Sequence, residues 1–368
     1  MEYGLIGEKL GHSYSKIIQE QLLDDYTYEI NPVAPESLDA FMRAKAFKAI
    51  NVTIPYKQKV IPYLDEMDEL SKKIGAVNTI VNKDGKLIGH NTDYLGFAYM
   101  LKKHGVKVEN KKVLILGNGG ASQAVQAVIK DLNPSHLYIT DLNRTAGILG
   151  IDEIYDNPDI QIVINTTPLG MYPGVNRSAV DLARLSNLET VIDVVYNPLH
   201  TTIIMQAKDM GLNAFSGLEM LVAQAKYALE FFKDIQLDDN KIDEIYHSIL
   251  QETTNVIWIG TDAERMREAS KLINKGFISI RAEIVKASGG VALEDYRNHI
   301  GDKAFHELED DIIANLCIMN NVAIAACDAC IAHPDNLTNL KRNALLIPIN
   351  DLSAEALATT YKEAIKTY

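Results

Sequence analysis

The chain is short of cysteine, of positive charge and of long apolar runs, and each shortage removes a class of protein. Only three of its 368 residues are cysteine, at Cys317, Cys327 and Cys330. Three thiols in one region build no disulfide framework, which points away from a secreted scaffold and toward the cytoplasm. Cys327-Asp328-Ala329-Cys330 is a CxxC, yet no second pair and no suitably spaced histidine accompany it. Zinc is therefore disfavoured, and the pair reads as two small residues in or beside a buried strand. Lys and Arg number 36 against 49 Asp and Glu, a net charge of −13. That balance repels phosphates and disfavours nucleic acid or an anionic membrane as partner. It leaves room for a small anionic substrate, because a pocket's own charges govern what enters it. No apolar run reaches the roughly 20 residues that span a bilayer. Met1-Glu2-Tyr3-Gly4 opens no basic-then-apolar segment, so no secretory signal is expected. No repeat with a period of about 20–50 residues is present, which excludes a solenoid.

What remains is ordinary globular material. Hydrophobic residues make up 47% and charged residues 23%, ample for sizeable cores, and the length calls for two or three domains. The first segment opens with a short strand, Tyr3 to Ile6, a glycine turn, and a helix from about Ser15 to Leu23. Further β-rich runs lie at Ile50 to Ile54 and Val77 to Val81. Strands alternating with helices predict an open α/β sheet. A second unit begins near Lys111. Val113-Leu114-Ile115-Leu116 has no polar alternation, as a strand buried on both faces requires. A helix from Ala124 to Ile129 and strands at Leu137 to Thr140, Ile162 to Asn165 and Val191 to Val195 follow. The succession predicts a doubly wound nucleotide fold. A long amphipathic helix, Leu218 to Phe232, is expected to return and pack on the first unit. After a helix ending near Gln251, Glu252-Thr253-Thr254-Asn255 reads as a linker. Val256-Ile257-Trp258-Ile259-Gly260 then opens a third unit.

Asn51-Val52-Thr53-Ile54-Pro55-Tyr56-Lys57 and Gly89-His90-Asn91-Thr92-Asp93 carry the chemistry of the first segment. Each sets one charge in a short polar loop after an apolar run, so Lys57 and Asp93 can face one cleft. A lysine–aspartate pair in a cleft can move a proton while holding a hydroxyl. Gly117-Asn118-Gly119-Gly120-Ala121-Ser122, placed between a buried strand and a helix, suits a dinucleotide. The first glycine permits the tight turn, and the second lets backbone amides approach a pyrophosphate at the helix N-terminus. Ser122 stands where the fingerprint has its third glycine. Asp141 lies 24 residues beyond Gly117 and can accept from the ribose hydroxyls of NAD. Asn143-Arg144-Thr145 follows directly, and Arg144 can instead hold the 2′-phosphate of NADP or stay a solvated loop charge. Ser13 and Ser15 offer two hydroxyls to a polyol or carboxylate, or else cap the helix that follows. Asn78 adds an amide that can bind a hydroxyl, or serves a turn.

In these motifs residues 1 to about 250 resemble shikimate dehydrogenase. The resemblance also rests on Gly11 to Ser15, Gly75 to Thr79, Asn165 to Met171, Asp193 to Pro198 and Gly217 to Ala225. It implies reversible reduction of 3-dehydroshikimate to shikimate, with Lys57 and Asp93 as the catalytic pair. Ser13, Ser15, Thr53, Asn78, Tyr196 and Gln224 would contact the substrate. Gly117, Gly119 to Ser122, Thr166, Gly217 and Met220 would line the cofactor site, with Asp141, Asn143 and Arg144 at the adenosine end. The implied cofactor is NADP, or NAD if Asp141 governs. Lys16 replaces the family's usual proline after the second serine. Both serines are kept, which leans toward shikimate over quinate.

Residues 255 to 368 resemble a shikimate kinase that has lost its site. The framework likeness lies in Asn255 to Gly260, Gly301 to Glu309 and Val322 to Ala326. A phosphate loop needs G-x-x-x-x-G-K-[ST]. Here Met266 falls at the lysine and Arg267 at the hydroxyl that binds Mg²⁺, with Asp262 and Glu264 adding negative charge. The kinase's two aspartates after its second strand appear as Ser279 and Arg281, its substrate arginine as His306, and its glycine triplet as Cys327-Asp328-Ala329. The sequence stops at Tyr368, ahead of the arginine-bearing lid. Together these losses predict that phosphoryl transfer is absent.

The expected architecture is an α/β substrate lobe (1–100, with 218–250 packing back), a Rossmann-type cofactor lobe (101–217) and a P-loop-kinase-like α/β domain without its P-loop (255–368). The expected activity is a cytoplasmic shikimate dehydrogenase, monomer or homodimer. The alternatives are a bifunctional dehydrogenase–kinase, a quinate/shikimate dehydrogenase with a regulatory C-terminal module, and a non-catalytic sensor, which the intact Lys57 and Asp93 oppose.

Overall fold

The structure, a computed structural model, describes residues 1–368 apart from 12, 142–146 and 158. Its chain forms two compact units, Met1–Tyr246 and His247–Tyr368.

The first unit carries two sheets. One is built from β1 (Tyr3–Gly7), β2 (Glu29–Pro32), β3 (Ala49–Val52), β4 (Glu66–Met67), β5 (Thr79–Lys83) and β6 (Lys86–His90), in the order β2-β1-β3-β5-β6-β4. β1 runs parallel to β2 and β3, while β5 is antiparallel to both β3 and β6. The β5–β6 hairpin turns at Asp84-Gly85, both at positive φ, as a tight two-residue turn demands. Its apolar face buries Ile6, Ile50, Val52, Tyr56, Val77, Ile80 and Leu87. The strand read as reaching Ile54 stops at Val52, ahead of Pro55, which has no N–H for the ladder.

The second sheet holds β7 (Lys112–Leu116), β8 (His136–Thr140), β9 (Ile162–Asn165), β10 (Thr190–Asp193) and β11 (Asn213–Ser216). All are parallel, in the order β11-β10-β9-β7-β8. The chain winds one way from β7 to β8 and the other way from β9 onward. The strand ends of β7 and β9 therefore flank a topological switch point, where such sheets open a crevice for ligands. The helix after β7 spans Gly120–Asp131, four residues earlier than its apolar pattern begins. Gly120 to Gln123 carry no apolar periodicity, yet the Gln123 amide already closes the first turn on the Gly119 carbonyl.

The helix Leu218–Lys233 returns to pack against the helices Thr92–Lys103 and Ser15–Leu22. Gly96 lets it come close: a Cβ there would lie 2.7 Å from the Met220 carbonyl oxygen and 2.9 Å from the Gln224 nitrogen. Glu219, only 3% exposed, ties the pair by binding Lys103 at 2.5 Å and His104 at 2.7 Å.

The second unit is a four-stranded parallel sheet of β12 (Asn255–Ile259), β13 (Gly276–Ser279), β14 (Val322–Ala326) and β15 (Ala344–Pro348), ordered β13-β14-β12-β15. Trp258 is fully buried and donates to Ser270 at 2.9 Å. The linker expected at Glu252-Thr253-Thr254-Asn255 is not one. The helix Asn240–Thr253 runs through Thr253, and β12 begins at Asn255. Thr253 and Asn255 are buried with their side chains bonded internally: the Thr253 hydroxyl donates to Ile249 at 2.7 Å, and the Asn255 amide donates to Met319 at 2.7 Å and accepts from Val322 at 3.0 Å, whereas the buried Thr254 hydroxyl has no partner among the described residues.

Candidate active site

Lys57 and Asp93 reach one another from different elements. Lys57 sits in the loop after β3, anchored by its neighbour Tyr56, which is buried and donates to the Val33 carbonyl at 2.6 Å. The Lys57 carbonyl accepts from the Val77 amide at 2.8 Å. Asp93 lies in the first turn of the helix Thr92–Lys103, whose N-cap Asn91 accepts from Tyr94 at 3.3 Å. A carboxylate is favoured at that position, where helix amides point outward. Lys57 Nζ meets Asp93 Oδ2 at 2.6 Å, with the two side chains 12% and 9% exposed.

Asn78 fixes the second carboxylate oxygen. Its Nδ2 donates to Asp93 Oδ1 at 2.9 Å and to Thr92 Oγ1 at 3.0 Å, and its Oδ1 accepts from the Thr92 amide at 2.7 Å. Gln224 closes the group from the helix Leu218–Lys233, its Oε1 lying 3.4 Å from both Asn78 Nδ2 and Thr92 Oγ1. With Asp93 held on one oxygen and Lys57 on the other, the ammonium is an aimed proton donor on a fixed carboxylate.

Ser13 donates to Ser15 at 2.9 Å, and the Ser15 amide donates back to Ser13 Oγ at 3.2 Å. Tyr14, between them, packs its ring 5.4 Å from that of Tyr196, which follows β10. Burial pushes the Tyr196 phenol up to about 12, so it stays a neutral donor. Gln19, one turn beyond Ser15, donates to the Ala225 carbonyl at 3.1 Å, which docks the serine segment on the helix that carries Gln224. Thr53 packs against Gly7, where a Cβ would lie 2.6 Å from its methyl. Lys16, in place of the expected proline, binds Glu20 at 2.6 Å and the Tyr28 carbonyl at 2.8 Å.

The glycine turn stands at the switch point. Gly117 adopts φ 97°, and a Cβ there would press on Thr167 and on Thr166 Oγ1 at 2.9 and 3.0 Å. Thr166 donates to the Leu116 carbonyl at 2.7 Å, joining the end of β9 to the turn. The N-cap Gly119 has no side chain to cap the helix that Gly120 opens, so its first amides face outward, as a pyrophosphate needs. Gly120 stands beside Lys57: a Cβ on it would lie 3.3 Å from Lys57 Cδ. The glycine turn and Lys57 are thus neighbours.

Other cofactor-side residues are placed less openly. Ser122 is fully buried and donates to the Gly117 carbonyl at 2.7 Å, shaping the turn. Asp141 accepts from the Asn118 amide at 2.8 Å. Met220 is 6% exposed and packs with Phe97 and Ile164. Gly217 is needed for close approach, since a Cβ would lie 2.1 Å from the Val194 carbonyl oxygen. Asn143 and Arg144 lie outside the described residues.

Sequence reasoning missed a buried network beneath this site. Asp193, at the end of β10, accepts from Asn165 at 2.9 Å, Val195 at 3.0 Å and Thr201 at 2.5 Å. Burial pushes its carboxyl up to about 7 against those donors. Asn165 in turn accepts from Thr167 Oγ1 at 2.6 Å, so the loop after β9 hangs from Asp193. Both polar residues sit at C-terminal ends of otherwise apolar parallel strands, which was the available signal.

A lysine–aspartate pair beside a glycine-rich turn, at the switch point of a parallel sheet, is the arrangement of a nicotinamide-dependent dehydrogenase. A model of the shikimate dehydrogenase substrate binding domain matches residues 5–80. The shikimate dehydrogenase (NADP(+)) of Clostridium beijerinckii is 38% identical over 264 residues, covering 68% of this chain and 97% of that protein. A chorismate mutase/shikimate 5-dehydrogenase fusion protein from Clostridium acetobutylicum superposes with a TM-score of 0.63 at 38% identity, over 67% of this chain and 96% of that one. A shikimate dehydrogenase solved in complex with NADP+ gives 0.60 at 32% identity, over 67% and 94%. The chain belongs to the shikimate dehydrogenase family.

Proposed function

We propose that the chain interconverts 3-dehydroshikimate and shikimate with NADP(H). The observation that carries this reading is the place of Lys57, paired with Asp93 and lying beside Gly120, which sets a proton donor next to the glycine turn. The residues fit a dinucleotide: Gly117 supplies the positive-φ turn, Gly119 and Gly120 leave the helix amides open, and Thr166 borders the crevice. When bound, the nicotinamide supplies or accepts a hydride at the carbinol carbon. As charge grows on the carbonyl oxygen, Lys57 gives it a proton, and Asp93 holds Lys57 and the emerging hydroxyl in line. Asn78 and Gln224 orient the ring hydroxyls, and Ser13, Ser15, Thr53 and Tyr196 take the carboxylate end. Residues 1–100 then serve as substrate lobe and 101–217 as cofactor lobe. Shikimate oxidation measured with NADP+ and NAD+ side by side tests this. Faster turnover with NADP+ is expected; no turnover with either would overturn it, and a strong NAD+ preference would reassign Asp141 to the ribose.

The second unit we read as a kinase-like fold without phosphoryl transfer. β12, the Gly260 turn and the helix Ala263–Leu272 give the strand–turn–helix setting of a phosphate loop. The Asp262 carboxylate accepts from the Arg265 amide at 3.0 Å and so occupies the helix end where a phosphate would sit. Met266, at the lysine position, is 1% exposed and carries no charge. Arg265 is bound to Asp262 at 3.0 Å and to the Asn350 carbonyl at 3.0 Å. ADP release from ATP and shikimate is expected to be nil; steady release would refute this reading.

A further inference from the structure

The thiols of Cys327 and Cys330 lie at the C-terminal end of β14, outside everything the dehydrogenase site uses. Their sulfurs are 3.0 Å apart, and both cysteines are free thiols. A disulfide needs about 2.05 Å, so closing it asks for a movement of only ~1 Å, within reach of side-chain rotation. The two sulfurs differ in access: Cys327 is half-buried, whereas Cys330 is 3% exposed and packed in the core with Ile324 and Leu340. Cys317, the third cysteine, is buried in the same core.

We propose that Cys327 and Cys330 form a thiol–disulfide exchange site, with Cys327 as the attacking sulfur and Cys330 as the resolving one. The hydrogen bond from the Cys330 thiol, aided by the amides of Cys330 and Ala329, holds the Cys327 thiol below the usual thiol range. The same bond, with burial, holds Cys330 well above it. Glu309, 6% exposed and 3.5 Å from His306, opposes ionisation of both sulfurs, so the local hydrogen bonds set the asymmetry. That is the order an exchange reaction needs, since the thiolate is the nucleophile.

The partner is a low-molecular-weight disulfide. Cys327 thiolate attacks one of its sulfurs, the S–S bond breaks, and one thiolate leaves carrying the electron pair and takes up a proton. A mixed disulfide remains on Cys327. Cys330 loses its proton and attacks Cys327 Sγ, forming the intramolecular disulfide and expelling the second thiol. The cysteines lose two electrons and two protons, and the small disulfide becomes two thiols. Asp328, between the cysteines, lines a cleft of about 310 Å³ with Gly260, Asp262, Arg265 and Asn350.

The test equilibrates the native full chain with oxidised glutathione and counts alkylatable thiols after acid quenching. The expected result is a fall from three thiols to one, with no glutathione retained. Cys330→Ser is expected to trap one glutathione on Cys327, and Cys327→Ser to trap none. Three thiols persisting in the wild-type chain, or glutathione landing on Cys317, would overturn the proposal. The wild-type count needs no variant to fold.

Discussion

Replacing Asp93 by Asn exchanges one oxygen for an NH2 group and removes the negative charge while keeping the shape, which makes it a clean probe of the site. In the native chain each carboxylate oxygen has its own donor: Oδ2 receives Lys57 at 2.6 Å and Oδ1 receives Asn78 at 2.9 Å. An asparagine has one oxygen for these two donors. Whichever way its amide turns, a donor is left facing an NH2 group in a site where the two side chains are 12% and 9% exposed. An orphaned donor of this kind costs roughly 1–3 kcal/mol, and the lost charge assistance adds a further ~1 kcal/mol. The sum, about 2–4 kcal/mol, falls toward the low side of the ~3–5 kcal/mol of breaking a wholly buried pair, because water still reaches this one. Turnover is expected to suffer more than stability. A positioned proton donor contributes about 10²–10⁴-fold, so losing its alignment raises the barrier by roughly 3–5 kcal/mol. Steady-state shikimate oxidation followed by NADPH absorbance, with calorimetric titration of NADP+ as control, reads both effects. Asp93→Asn is expected to bind NADP+ normally and to lose at least about a hundredfold in kcat. A kcat within about threefold of wild type would refute the reasoning, since an unaligned lysine would then serve as well as an aligned one.

Gly96→Ala places a Cβ 2.7 Å from the Met220 carbonyl oxygen; overpacking of this kind costs about 1–3 kcal/mol, against which alanine's better helix propensity returns at most ~1 kcal/mol. A lowered melting temperature is expected, together with a raised KM for shikimate as Gln224 moves. Asp193 supplies a pH signature. Its folded-state carboxyl sits near about 7 against an ordinary 3.8, so between those values the native chain keeps a proton that the unfolded chain has lost. Stability from this group is full at low pH and falls as pH rises through that window, by on the order of 3–4 kcal/mol. Asp193→Asn, whose amide can still accept from Asn165 and donate to Thr201, is expected to flatten urea-unfolding midpoints across the window; parallel profiles for variant and wild type would contradict it. In the second unit, Asp262→Ala exposes the first amides of the helix Ala263–Leu272 and is expected to admit inorganic phosphate weakly, seen as a titration heat absent from the wild type.

How much of this was legible depended on whether a residue's role is local. Lys57 and Asp93 stood out because a charge directly after an apolar strand is costly unless it is used. The glycine turn was readable from its place between a buried run and a helix. Gln224 was not readable from its surroundings: it meets Asn78 across 146 residues of chain, and only the family likeness pointed to it. The β5–β6 hairpin was not read as one although Asp84-Gly85 carries the turn chemistry, because Lys86 to His90 alternates around polar residues. Polar residues misled most where the fold satisfies them internally. Thr253 and Asn255 looked like linker and are buried, and Asn165 and Asp193 looked like strand ends and are a network.

The most direct test of the central claim is Lys57→Ala in the shikimate oxidation assay, with NADP+ affinity measured on the same preparation. The account predicts that turnover is largely lost while NADP+ binds as in the wild type, because Lys57 moves the proton and the Gly117–Gly120 turn holds the cofactor. Near-normal turnover in that variant would contradict it and remove Lys57 from the chemistry.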